Sequence, residues 1–549
     1  MGLVSTTEVD GVPTFWVGSG RPTLSASLIF RAGIADEDMA TTGWLHLLEH
    51  LSLHGLARGS LAVNGSVSML YTSFVVHGPA DQVVTTLAEI TRRLVTPELD
   101  ELDRERRVLA AEAATRGGPV HRALGQRYGA RGPGLAAYDD AALGRATPDL
   151  LREVAGWAFP AGNGVLALDG PPPAGLSLGL APGGRIREVR DTTPVEKPRS
   201  VYAEPAGLVL SGVISRAPGN TLVAPVVEDA LRRKLRDQDG TSYAPYSVYE
   251  AVDNGSAVIV AGADVSPATA PSLLGNVLDL VGNLAEHGPD PDALADIKAS
   301  GRQIYTDPYN IGFLAHRAAG EHLWGRPVQQ LDDLLAEHDA VDGDQLKPAL
   351  ADLRDSLIVG APPATAPHSR LEVIQQPVVR ARTKGARSSN WPADDSVLGI
   401  TDDMVTFGDR QAQYQFSMSD VAGYYRWDNG GRRLVLQDGW GFTLVPGAWS
   451  GGDRHQRRLD ELVTDGLHLP QQPETAPEPV EPQPLARRWW LGMLRWFGGP
   501  IRAVIVLLAL LWCLLGVGQG VGEGEYALAL VFVPLAFAVV WFLKVRPQE

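Results

Sequence analysis

The chain contains one cysteine, Cys513, in 549 residues. No intrachain disulfide and no cysteine-based zinc cluster can form, which points to a reducing compartment. Basic residues are short too: 48 Lys and Arg stand against 64 Asp and Glu, a formal net charge of −16. Nucleic acid, which wants the opposite sign, is therefore disfavoured as a partner. The first twenty residues, MGLVSTTEVDGVPTFWVGSG, hold no basic stretch ahead of an apolar one, so no secretory signal is expected. Gly (60) and Pro (40) follow no strict period, which excludes a collagen-like chain. What remains is ordinary globular composition, 44% apolar and 20% charged, long enough for roughly three to four domains.

Shifts in composition divide the chain. Residues 1–195 open with a hairpin signal, VDGVP, and then alternate strands such as TLSASLIF and SFVVHG with helical patterns. Residues 196–365 repeat that alternation, with GLVLSGVIS and SAVIVAGADV as strands. The expected class is α+β, with two α/β units in tandem. Residues 366–394 read as a polar, basic linker. Residues 395–466 form several strands split by DNGG and DG turns, closed by one helical stretch, GDRHQRRLDELVTDG. That pattern resembles a bacterial pleckstrin-homology-like domain. Residues 467–486, centred on PQQPETAPEPVEPQP, read as an extended Pro/Glu spacer holding the soluble body off a membrane.

The membrane is implied by residues 487–549. The runs 503–521 and 526–543 are uncharged and about 18–19 residues each, long enough to cross a bilayer as a helical hairpin. Trp489, Trp490, Trp496 and Trp512 gather near one end, as an interfacial belt does. Arg487, Arg488, Arg495 and Arg502 precede the first run, and Lys544 and Arg546 follow the second. The intervening loop has only Glu523 and Glu525. The positive-inside rule then places both ends, and the soluble domains, on the cytoplasmic face of the cell membrane.

The chemistry is concentrated in WLHLLEHLSLHG. His46, Glu49 and His50 form HxxEH, and on a helix positions i, i+3 and i+4 share one face. Two histidines one turn apart can ligate one zinc ion, with the intervening Glu49 placed to take a proton from water. This is the inverse of the HExxH order. A further ligand is offered by DRERRVLAAEAATRG, where Glu105, Val108, Leu109 and Glu112 fall on one helical stripe. Carboxylates on a core-facing stripe are costly unless paired or bound to metal.

With RAGIADED ahead of TTGWLHLLEH, and the two glutamates downstream, the sequence resembles the pitrilysin/insulinase metallopeptidases. The resemblance runs over about residues 1–365 and implies two pitrilysin-type sandwich domains. It makes His46, His50 and Glu112 the ligands of one zinc per chain, Glu49 the general base, and Glu105 a partner that orients a histidine. It implies that Asn64 lies near the substrate-binding edge strand. His50 and Glu112 are 62 positions apart, shorter than is usual in the family. In LRRKLRDQDGTSYAPYSVY, Arg236 and Tyr243 match the family's Arg and Tyr seven residues apart, which implies that Arg236 holds a substrate carbonyl and Tyr243 donates to the oxyanion. The implied activity is zinc endopeptidase action on unfolded peptides, in a homodimer that completes the chamber. A catalytically inactive scaffold on the same fold is the alternative.

Overall fold

In the computed structural model, residues 24–30 (LSASLIF) are buried almost throughout, as a strand covered on both faces requires. The structure describes residues 4–491 apart from 58, 114–116, 139, 187, 190, 196–198, 206, 364–367, 380–383, 472 and 490. The runs 503–521 and 526–543 lie outside the described residues. Among the described residues no helix is long and apolar enough to cross a membrane.

The first half contributes β1 (Ser5–Val9), β2 (Val12–Trp16), β3 (Leu24–Phe30), β4 (Ala62–Val67), β5 (Thr72–Gly78) and β6 (Gly164–Leu168). They form one mixed sheet in the order β1-β2-β6-β3-β5-β4, so β4 is an edge. Its helices are α1 (Trp44–Leu53), α2 (Ala80–Val95), α3 (Leu102–Ala113), α4 (Pro119–Tyr128) and α5 (Pro148–Ala158). The second half contributes β7 (Ser200–Ala203), β8 (Leu208–Ser215), β9 (Tyr246–Ala251), β10 (Ser256–Ala263), β11 (Ile358–Ala361) and β12 (Glu372–Val373). Their order is β12-β7-β11-β8-β10-β9, so β9 occupies the edge that β4 has in the first sheet. Helices α6 (Val223–Leu231), α7 (Ala270–His287), α8 (Pro291–Thr306), α9 (Gly312–Leu323), α10 (Leu331–Ala340) and α11 (Gly343–Asp355) complete this half, and α6 continues as a π-helical turn over Arg232–Gln238.

Each sheet has its own helices on one face and borrowed helices on the other. Val83, Leu87, Ile90 and Leu94 of α2 form one buried stripe that packs with α1 and α5 on the first sheet. The opposite face, with Phe15, Ile29 and Val165, is covered by Leu314, Ala315 and Ala318 of α9 and by α10. Reciprocally, Ala123, Leu124 and Tyr128 of α4 cover Val209, Val258 and Val260 of the second sheet. Polar ties follow the same crossing. Arg127 on α4 donates to the carbonyls of Ser211 and Ser356, at 2.7 and 2.9 Å. Arg31 lies over the Trp324 ring at 4.4 Å.

A third unit is built from β13 (Ala386–Arg387), β14 (Val397–Ile400), β15 (Met404–Gly408), β16 (Gln413–Ser417), β17 (Val421–Arg426), β18 (Arg432–Leu436), β19 (Gly441–Leu444), α12 (Gly452–Leu462) and β20 (His468–Pro470). The strands form two four-stranded sheets around a core that includes Leu398, Phe416, Tyr424, Leu434 and Leu459. Its extent corrects the sequence reading in three places. Within the 366–394 linker, β12 pairs with β7 and β13 pairs with β14. Residues 468–470 are not spacer but a strand beside β17. The Pro/Glu segment does not hold the body at a distance, because it is laid along the third unit. Trp427 Nε1 donates to Thr475 at 2.9 Å, Asn429 Nδ2 to the Pro477 carbonyl at 3.0 Å, and the Gln483 amide to Asn390 at 2.8 Å. Side chains along the unit's surface, two as donors and Asn390 as acceptor, capture a segment whose own composition only makes it extended.

The third unit also packs on the first half. Val435 and Leu469 join the core that holds Met39 and Trp44. The Ala130 amide donates to the Gln437 carbonyl at 3.1 Å, and Gln471 Nε2 to that of Ala141 at 2.9 Å.

Candidate metal centre

Helix α1 is buried on nearly every side. Trp44, Leu45, Leu47, Leu48 and Leu51 pack into the core, and only His46 and His50 keep part of their surface along its inner turns. Gly43 begins the helix at φ 89°, and a Cβ there would come 2.6 Å from the Asp140 Cα. Glycine is the residue that tolerates both conditions. The cap is supplied from a distance. The Glu37 carboxyl accepts from the amides of Gly43 and Leu45 at 3.0 and 2.9 Å, taking up donors left free at the start of the helix. Burial pushes the Glu37 carboxyl up to about 8, while those backbone donors oppose the shift.

The two imidazoles meet edge to face, with ring centroids 4.8 Å apart. His46 Nε2 lies 3.7 Å from Glu49 Oε2 and 4.0 Å from Glu112 Oε2. His50 Nε2 lies 4.0 Å from Glu49 Oε2 and 3.7 Å from Glu112 Oε1. Both ring nitrogens therefore face the same pair of carboxylates, one from α1 and one from α3. His46, Glu49 and His50 each offer one donor atom within 4.8 Å of the others.

The outer nitrogens settle the tautomers. His46 Nδ1 is 3.3 Å from Asp140 Oδ2, and His50 Nδ1 is 3.2 Å from Glu105 Oε2. A carboxylate only accepts, so each Nδ1 carries the proton and each Nε2 presents a lone pair inward. That is the form a metal ligand needs. Glu105 is buried and is held in turn by Arg104, whose Nη1 lies 2.7 Å from its Oε1. The donor set of two imidazoles and a carboxylate suits zinc. The surrounding Glu49, Glu105, Glu112 and Asp140 supply the negative charge that a divalent cation offsets.

The centre opens into a cleft of about 410 Å³ whose lining includes His46, Glu49, His50, Asn64, Glu112 and Asp140. Gly65 on β4 presses against Glu49, and a Cβ there would collide with its carboxylate. The edge strand thus forms one wall, with Asn64 beside the metal side chains. Asp140, Glu37 and His121, which also lines the cleft, were not singled out by the sequence. Asp140 is 94 positions from His46 and carries no spacing signal. Arg236 and Tyr243 sit elsewhere. They touch each other, the guanidinium 5.4 Å from the ring centroid, but neither lines the cleft of its own chain, and Tyr243 is 78% exposed.

No family model matches the sequence, and no curated protein does. Solved structures do match. A peptidase M16 inactive domain from Pseudomonas fluorescens aligns with a TM-score of 0.56 at 18% identity, over 66% of this chain and 100% of that one. Pitrilysin aligns with a TM-score of 0.52 at 18% identity, over 67% of this chain and 45% of its own. The fold is pitrilysin-like. A protease from Helicobacter pylori supports the same reading, with a TM-score of 0.51 at 15% identity over 65% of this chain and 99% of that one. At such identities the likeness is one of fold.

Proposed function

We propose that the chain is a zinc-dependent endopeptidase for unfolded peptides or extended protein segments, anchored to a membrane by residues 503–543. The observation that carries the reading is the pair of inward Nε2 lone pairs, each fixed by a carboxylate behind it and faced by Glu49 and Glu112. His46, His50 and Glu112 would hold the metal. When bound, zinc supplies Lewis-acid polarisation of the scissile carbonyl and lowers the pKa of water. Glu49 accepts the proton of the attacking water and returns it to the leaving amine. Gly65 leaves room for that carboxylate, since a Cβ there would collide with it. The exposed edge of β4 aligns a substrate strand by main-chain hydrogen bonds.

The exposure of Tyr243 and its distance from the cleft favour a homodimer in which Arg236 and Tyr243 serve the partner's centre. The two four-stranded sheets with α12 are read as pleckstrin-homology-like, and the basic residues flanking 503–543 put the soluble units on the cytoplasmic side.

A second reading, an inactive scaffold, is favoured by the match to an inactive M16 domain. Zinc content and cleavage of an unfolded peptide by the purified full-length chain separate the two. About one zinc per chain with cleavage is expected; below about 0.2 zinc per chain the scaffold is the better account.

A further inference from the structure

The end of the described chain is pinned to the third unit. Arg488 donates to the Ser389 carbonyl, and Trp489 packs edge to face on Trp391 with centroids 5.6 Å apart. The Arg387 guanidinium lies over the Trp391 ring, 4.9 Å from its centroid. Two stretches far apart in sequence, 384–391 and 485–489, thereby make one continuous surface. Two features mark it. Leu485, Trp489 and Trp391 leave 64, 57 and 36% of their surface exposed. The two stretches carry Lys384, Arg387, Arg487 and Arg488 with no Asp or Glu, in a protein of net charge −16. Exposed tryptophan with leucine amid cations fits the headgroup layer of an anionic bilayer, where the rings sit at the interface and the cations meet lipid phosphate.

The course of the chain selects the same partner. From Trp489 only fourteen residues lead to Ala503, the first residue of the apolar run 503–521, and Arg495 and Arg502 lie between. We propose that the face formed by Lys384, Arg387, Trp391, Leu485, Arg487 and Trp489 rests on an anionic lipid surface, so the third unit is seated on the bilayer rather than suspended above it. This rests on the reading of 503–543 as membrane spans.

The full-length chain, carrying Cys513→Ser and a fluorophore on Ala486→Cys, is reconstituted in phosphatidylglycerol-containing or phosphatidylcholine-only nanodiscs with a headgroup-depth quencher. Quenching is expected in the anionic discs, about threefold weaker in the neutral ones. Arg387→Glu with Arg487→Glu, both at exposed positions, should abolish it while the chain still resists alkaline carbonate extraction. Arg387→Gln with Arg487→Gln should give an intermediate loss. A probe that stays unquenched in anionic discs, in a chain that resists extraction, overturns the seating and leaves the spans intact. Extraction of the wild-type chain by carbonate overturns the spans and the seating together.

Discussion

Five strands of each half follow the same order, β2-β6-β3-β5-β4 and β7-β11-β8-β10-β9, and in each a helix follows the central strand and precedes the edge strand: α1 before β4, α6 before β9. Even the helix positions correspond. Glu49 is the sixth residue of α1 and Glu228 the sixth of α6. Glu49 lies against Gly65 on its edge strand, and Glu228 accepts from Ser247 on its own at 2.8 Å. What differs is the neighbours. Around Glu49 stand His46 and His50; around Glu228, at the same offsets, stand Pro225 and Asp229. Asp229 is consumed by Arg232 and Arg233. Two similar scaffolds thus carry, among the described residues, one candidate metal centre, and the difference lies in two side chains per helix and the carboxylates that orient them.

Removing the one feature both helices retain gives the largest effect. Glu49→Gln should keep zinc and lower peptidase turnover by at least about a thousandfold, because the proton acceptor is gone and the ligands are not. Turnover above about a tenth of wild type on an unfolded peptide would defeat the assignment.

Glu105 and Asp140 stand behind the histidines of the first half, so their loss measures what orienting carboxylates add there. Glu105→Gln and Asp140→Asn should each weaken zinc binding about 10- to 100-fold, read by chelator competition. An unchanged affinity in both would mean the histidines are fixed by packing alone.

A third comparison sets the halves against each other across a dimer. Glu49→Gln and Tyr243→Phe chains, each inactive, are co-expressed with different tags. Random pairing makes half the dimers mixed, and one site in each is complete, so activity should return to roughly a quarter of wild type. Confirmed mixed dimers with no recovery would rule out sharing in trans.

The smallest effect concerns the edge strands. Glu250 on β9 is held up to about 7 by burial. A carboxyl that ionises near 4.5 when unfolded and near 7 when folded favours unfolding as it deprotonates. Stability should fall as pH rises from about 4.5 to about 7 and level off above. Glu250→Gln should flatten that slope in denaturant titrations; a slope that persists would assign it to other groups.

Much of the centre was readable in the sequence because its parts are local. His46, Glu49 and His50 are within one helical turn and a half, and Glu105 and Glu112 share one stripe of α3. The capping of α1 by Glu37 and the hold of Asp140 on His46 were not readable, since each depends on where a loop is folded. The same is true of the Pro/Glu segment. Its composition sets an extended backbone, but Trp427, Asn429 and Asn390 decide what it lies against. The short strands β12 and β13 escaped for a related reason: two residues become strand only because a partner edge is waiting.

The crossing of α4 and α9 has a consequence for durability. Each half finishes the other's core, so a backbone cut between them would leave two fragments clasped by Tyr128 and Arg127 on one side and by Leu314 and Trp324 on the other. Separation would require both apolar faces to meet water at once. For a chain read as a peptidase, working among extended polypeptides and other proteases, that clasp lets the molecule survive a nick that would dismantle two domains joined only by a string.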